Sequence, residues 1–302
     1  MKIIVTGGAG FIGSHLVERL VKDSHEVVVI DNLSCGNIGN LDKVIDKITF
    51  VESELSVYGA WVDHLIGAKW VFHLAALSRI QPSFEDPILH DDATVRSTLN
   101  LMIALKDKNI DALVVSSSSS IYGDPDKFPT SENEKIDPLS PYALQKYAEE
   151  RYAHILGDRY SIPVTSLRYF NVYGPRSYDE NNTLNAYSSV VGIFSNQKKS
   201  GGKLTITGEG QQKRDFIHVS DVVNANLTVA SAIKYTNGES YNVGTGEIHS
   251  ILDLAKMFDC RYSFIDERKG EAEVTYANID KLKSIGWFPS VNLLAAINEG
   301  NI

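Results

Sequence analysis

Tyr142 and Lys146 are four residues apart, one helical turn, so on a helix the two side chains share a face and the ammonium can stabilise a phenolate. A tyrosine so placed can act as a general base. Chance alone yields about one Tyr-x-x-x-Lys pair in a chain of this composition, and no other tyrosine here has a lysine at that offset. Position therefore has to supply the meaning. Upstream lies the run Ser116-Ser117-Ser118-Ser119-Ser120, closing the apolar stretch Ala112–Ser116. Parallel sheets place ligands at the carboxyl ends of their strands, so a hydroxyl from this run can bond a substrate oxygen and relay its proton towards Tyr142. Most of the five serines are expected only to close a polar loop.

A second constellation opens the chain. Gly7-Gly8-Ala9-Gly10-Phe11-Ile12-Gly13 separates an apolar run, Lys2–Thr6, from a helical pattern, Phe11–Lys22. Gly7 permits a tight turn, Gly10 lets backbone N–H groups approach a pyrophosphate, and Gly13 allows close helix–strand packing. Phe11 and Ile12 carry the helix N-terminus that favours the anion. The spacing is one residue wider than GxGxxG. Eighteen residues beyond Gly13, Asp31 ends the next apolar run, where a carboxylate accepts hydrogen bonds from a ribose and repels a 2′-phosphate. Neither Asn32 nor Leu33 supplies a cation to reverse that choice, which makes NAD rather than NADP the expected cofactor.

The elements that must position these residues read as alternating strands and helices. Lys2–Thr6, Glu26–Asp31, Lys69–Leu74, Ala112–Ser116 and Pro163–Leu167 are Val- and Ile-rich runs of the kind buried on both faces of a parallel sheet. Between them Phe11–Lys22, Ile88–Asp107 and Tyr142–Asp158 carry helical periodicity, the last opened by Ser140-Pro141. The fold class is α/β, a doubly wound parallel (Rossmann) sheet with a smaller C-terminal substrate-binding lobe. Residues 1–168 are expected to form the NAD-binding domain, with 214–235 returning to it through the helical pattern Val219–Lys234. Residues 169–302 are expected to form an interleaved substrate-binding lobe.

Composition removes other classes. The 302 residues are 43% hydrophobic and 22% charged, with a formal net charge of −9, which opposes nonspecific attraction to nucleic acid or anionic membrane. The two cysteines, Cys35 and Cys260, give neither a metal pattern nor a disulfide framework. No two of the eight histidines recur at helical spacing, and no metal site is expected. After Lys2 only three consecutive apolar residues precede Thr6, and no 18-residue apolar run occurs, so a cytoplasmic protein without a membrane segment is expected.

With these residues assembled, the chain resembles the extended short-chain dehydrogenase/reductase family, and within it the nucleotide-sugar 4-epimerases that act on UDP-glucose or UDP-N-acetylglucosamine. The likeness spans nearly the whole chain. It rests on TGGAGFIGSHL (Thr6–Leu16), DNLS (Asp31–Ser34), HLAAL (His73–Leu77), SSSSSIYGD (Ser116–Asp124), SPYALQKYAEE (Ser140–Glu150), LRYFNVYGPR (Leu167–Arg176) and RDFIHVSDV (Arg214–Val222). RKGE at Arg268–Glu271 and IGWFP at Ile285–Pro289 resemble the family's ending. The resemblance implies Ser118 as catalytic hydroxyl with Ser119 beside it on the substrate side, Tyr142 as base and Lys146 as its partner, the last two also against the cofactor. It implies Leu74, Ala75 and Ala76 along the nicotinamide, Asn171 on the nucleotide-sugar, and Arg214 and Arg268 on the diphosphate and uridine. Guanidinium forks suit phosphate oxygens.

Departures are specific. Glu54 stands where the family usually has Asp, Thr94 and Ser97 replace the Asn and Gly of its NVxGT stretch, and Glu271 replaces a common Asp near the ribose. The family's dehydratases and glucuronate decarboxylases place an acid three positions before the YG glycine; here that position is Ser120, which leaves 4-epimerisation through a transient 4-keto sugar as the simplest chemistry. In the resembling epimerases a bulky residue at the position of Thr275 restricts room for an N-acetyl group, so the resemblance implies acceptance of UDP-GlcNAc and UDP-GalNAc beside UDP-Glc and UDP-Gal. Another NAD-dependent nucleotide-sugar oxidoreductase or epimerase, such as a UDP-glucuronate 4-epimerase, is the alternative. The resemblance further implies a homodimer joined through a four-helix bundle of Ile88–Asp107 and Tyr142–Asp158.

Overall fold

A computed structural model describes residues 1–179, 189–267 and 272–302. Seven strands form one parallel sheet: β1 (Lys2–Thr6), β2 (Glu26–Asp31), β3 (Ile48–Glu52), β4 (Trp70–His73), β5 (Ala112–Ser118), β6 (Val164–Tyr169) and β7 (Ser240–Val243), in the order β7-β6-β5-β4-β1-β2-β3. The five expected strands are present, with two more at the edges. The period of two assigns each side chain a face. Ile3, Val5, Val27, Val29 and Val114 enter one core layer, while Ile4, Val28, Ile30, Leu113 and Val115 enter the other. Both faces are covered, as a parallel sheet requires.

Helix α1 (Phe11–Lys22) covers the first layer through Leu16, Val17 and Leu20. The expected helix Ile88–Asp107 is instead Pro87–Asp91, a wide π turn over Asp92–Arg96, and α2 (Ser97–Leu105). The interruption has a local cause: Ser97 Oγ lies 2.6 Å from the Ala93 carbonyl and 3.1 Å from that of Thr94, so a side chain enters the backbone ladder. Helix α3 runs from Pro141 to Tyr160, with Ser140 accepting the Ala143 N–H at 3.2 Å and Pro141 at its first turn, the start the sequence signalled. Helix α4 (Val219–Ser231) ends before the expected Lys234, and a separate turn follows at Ile233–Thr236. Its Val222, Val223 and Val229 join the layer under α1.

A third core, built on Phe194, Leu204, Ile206, Leu254, Phe258 and Ile297, belongs to the smaller C-terminal part. Among the described residues no helix is long and apolar enough to cross a membrane. The strand order reverses between β1 and β4, and the crevice above that switch point opens into a cavity of about 490 Å³.

Candidate active site

The glycine turn forms one wall. Gly7 has φ +68°, and a Cβ there would lie 2.7 Å from the Ala75 nitrogen; a Cβ on Gly13 would lie 2.1 Å from the Gly7 carbonyl oxygen. Those two glycines let the helix start sit on its own turn beside the end of β4, so Gly13 packs on the turn more than on the strand. A Cβ at Gly10 would meet only the Gly7 carbonyl, at 3.2 Å. Gly10, Phe11, Ile12 and Gly13 line the cavity, presenting the helix end whose N–H groups have no intrahelical acceptor.

Asp31 closes β2, almost fully buried. Its Oδ2 accepts the Ala9 N–H at 2.9 Å and its Oδ1 the Leu33 N–H at 2.8 Å, so the carboxylate ties the turn to the strand and each oxygen keeps a lone pair. Burial pushes this carboxyl up, against the two backbone bonds, and the nearby Glu54 adds to the rise. Glu54 accepts from Asn32 Nδ2 at 2.5 Å and from the Ser56 N–H at 2.8 Å. A 2′-phosphate would meet two carboxylates here, whereas ribose hydroxyls find acceptors. The glycine cradle and this acceptor pair fit NAD, and Leu74, Ala75 and Ala76 continue the same wall.

Across the cavity stand Ser118, Ser119, Tyr142 and Lys146. Ser118 accepts both the Ser120 N–H, at 3.2 Å, and the Ser120 hydroxyl, at 2.9 Å. Its own proton is thereby left to donate. Tyr142 lies in the first turn of α3, its N–H donating to Ser83 Oγ at 3.0 Å. Lys146 is buried one turn on, its Nζ 3.5 Å from Ser116 Oγ and ion-paired with Glu149. The serine loop is clamped to α3 from behind. Arg168 Nη2 pairs with Glu150 Oε1 at 2.5 Å, its Nε donates to Oε2 at 3.1 Å, and its Nη1 donates to Tyr122 Oη at 2.8 Å. That pairing holds the Glu150 carboxyl low despite burial, and pushes the Arg168 guanidinium up.

Asn171, Arg214 and Thr275 meet at the far end. Asn171 Nδ2 donates to the Asp215 carbonyl and to Thr275 Oγ1, both at 2.8 Å. The short strand Lys213–Arg214 pairs with Val274–Thr275, placing Arg214 beside Thr275, and Arg214 Nη1 donates to the Glu273 carbonyl at 3.1 Å. Arg268 and Glu271 lie outside the described residues.

Several residues escaped the sequence reading. Asp215 is fully buried and accepts from Thr245, Gly246 and Ala277 N–H groups and from the Thr245 hydroxyl, fastening the wall that carries Arg214. Asp221 likewise holds Ser290 and Val291. Glu149, behind Lys146, is buried although its sequence context reads as a charged helix surface. Ser97, one of the departures, lines the cavity; Thr94 is buried in the π turn.

The sequence model of the NAD dependent epimerase/dehydratase family matches residues 3–244. A UDP-glucose 4-epimerase of Mycolicibacterium smegmatis is 33% identical, over 98% of this chain and 96% of that protein. Among solved structures, the UDP-N-acetylglucosamine 4-epimerase of Methanobrevibacter ruminantium in complex with UDP-N-acetylmuramic acid superposes with TM-score 0.91 at 34% identity, covering 99% of this chain and 96% of the other. The UDP-glucose 4-epimerase of Thermotoga maritima with UDP-glucose gives TM-score 0.90 at 34% identity, covering 98% and 96%. A sheet whose switch point carries a glycine cradle, and a tyrosine–lysine turn facing it, thus come with kinship along the whole chain, which belongs to the NAD-dependent epimerase/dehydratase family.

Proposed function

We propose that the protein is an NAD-dependent 4-epimerase of UDP-hexoses, interconverting UDP-glucose with UDP-galactose and UDP-N-acetylglucosamine with UDP-N-acetylgalactosamine through a transient 4-keto sugar. The observation that carries this reading is the convergence, in one cavity, of Tyr142, Lys146 and Ser118 with the dinucleotide cradle. The chemistry that NAD supplies when bound is reversible two-electron oxidation at C4, with Gly7, Gly10–Gly13, Asp31, Asn32 and Leu74–Ala76 as its seat. Tyr142 takes the C4 hydroxyl proton and later returns it, Ser118 donates to the C4 oxygen, and Lys146 favours the phenolate. Asn171, Arg214, Arg268 and Glu271 hold the nucleotide and diphosphate while the sugar turns between its two faces. Ser120 offers no carboxylate for elimination, and the small Thr275 leaves room for an N-acetyl group. Residues 1–168 with 214–235 form the cofactor unit in this reading, and the remainder of 169–302 the sugar lobe.

The enzyme is further inferred to be a cytoplasmic homodimer. Ile103 on α2 and Leu144, Tyr152 and Ile155 on α3 are exposed, and a matching four-helix bundle would cover them. Light scattering tests this, a monomer mass at micromolar concentration excluding it. The activity is tested by incubating the protein with each of the four sugars, and with UDP-glucuronate, and following C4 isomers by NMR. Interconversion of the glucose or N-acetylglucosamine pair is expected. Conversion of UDP-glucuronate alone, or of none, rejects the reading.

A further inference from the structure

Glu149 is fully buried on the inward face of α3, three residues past Lys146. Among the described residues Lys146 is the lone lysine or arginine paired with it, through Oε2. His73 Nε2 stands 3.6 Å from Oε1, but burial pulls that imidazole down to about 3, so it adds no charge near neutrality. Of the other groups facing the carboxyl, Thr98, from α2, works with Lys146 to lower it through its hydroxyl, which also lies 2.7 Å from the Thr94 carbonyl. Glu150, the next residue, is kept ionised by Arg168 and adds negative charge. Tyr169, from β6, is a buried phenol hydrogen-bonded with Asn226. Burial outweighs Lys146 and pushes the Glu149 carboxyl up to about 7.

Nothing in the proton transfer derived above uses this group, yet it touches the ammonium on which that transfer depends. We propose that Glu149 is a positioning residue that sets how much of the Lys146 charge reaches Tyr142. Ionised, it compensates the ammonium from behind and draws it from the phenol; protonated, it leaves the full charge directed at the phenol oxygen. The base is thereby coupled to a carboxyl that changes state near neutral pH. The inference rests on the assignment of Tyr142 and Lys146 as the proton-transfer pair.

The test is a titration of tyrosinate absorbance in purified wild-type and Glu149→Gln protein without sugar, each read against its own Tyr142→Phe counterpart so that the difference belongs to Tyr142. In Glu149→Gln the phenolate is expected to form at a pH lower by about one unit. The acid limb of kcat in the same variant shifts in the same direction, with KM little changed. A folded Glu149→Gln whose Tyr142 titration is unmoved overturns the proposal, even if activity falls, because that pattern marks a merely structural role. Glu149→Met, similar in length and uncharged, stands in should the first variant not fold. A shifted titration without any epimerisation would instead reject the assigned reaction and leave the coupling intact.

Discussion

Replacing Asp31 by alanine separates the two tasks of that carboxylate. The side chain accepts the N–H groups of Ala9, wholly buried, and of Leu33, half-buried. Orphaning a buried amide costs about 1–3 kcal/mol. Water can reach the Leu33 amide, so its loss adds less, and removal of a carboxyl that burial already disfavours returns part of the cost. A net destabilisation of about 1–3 kcal/mol is expected, which at about 2–4 °C per kcal/mol lowers Tm by about 2–12 °C. The second task is recognition: losing a charged acceptor for ribose hydroxyls weakens NAD by about 1.5–3 kcal/mol, or about 10- to 150-fold in Kd, with NADP much less affected. Calorimetric unfolding and titration calorimetry with both dinucleotides check the two parts on one sample. An Asp31→Ala protein that keeps its Tm and binds NAD within twofold of wild type would refute the claim that this carboxylate ties the turn to the strand and reads the ribose.

Tyr142→Phe retains the cradle and removes the proposed base; epimerisation is expected to fall by about 10²–10⁴-fold with NAD binding unchanged, measured by NMR turnover and calorimetry. Arg168→Met leaves the Glu150 carboxylate buried without its partner, and a loss of about 3–5 kcal/mol is expected in urea unfolding. Stability should also depend on pH from both sides. His73 is depressed to about 3 from 6.5, so the unfolded chain gains a proton first and stability is lost as pH falls from 6.5 towards 3. Glu149 is raised from 4.5 to about 7, so its contribution is complete below 4.5 and lost as pH rises through about 7. Unfolding curves across this range should show Glu149→Gln flattening the neutral side alone.

The strands buried on both faces were legible because runs such as IIV and VVVI have no polar position. β3 and β7 were not. Ile48–Glu52 is an edge strand with two exposed positions, and Ser240–Val243 is a four-residue polar segment whose burial depends on pairing with β6, more than seventy residues earlier in sequence. The site followed the same division. Gly7, Asp31 and Ser118 lie at strand ends, Tyr142 in a first helical turn and Lys146 one turn beyond it, where local spacing fixes their place. Glu149 and Asp215 are defined by what packs over them. The π turn at Asp92–Arg96 arises from a serine hydroxyl entering the ladder, which a helical hydrophobic pattern does not encode.

The seventh strand also bears on modularity. All six residues of β6 are buried, and the neighbour that seals its outer edge is contributed from beyond residue 239, after the chain has already contributed to the third core. Cutting the chain after Tyr169 would strip that edge and expose an apolar ribbon able to recruit other copies. Any exchange of the smaller C-terminal part must therefore carry the returning strand along, because the sheet is completed only after the chain has left it and come back.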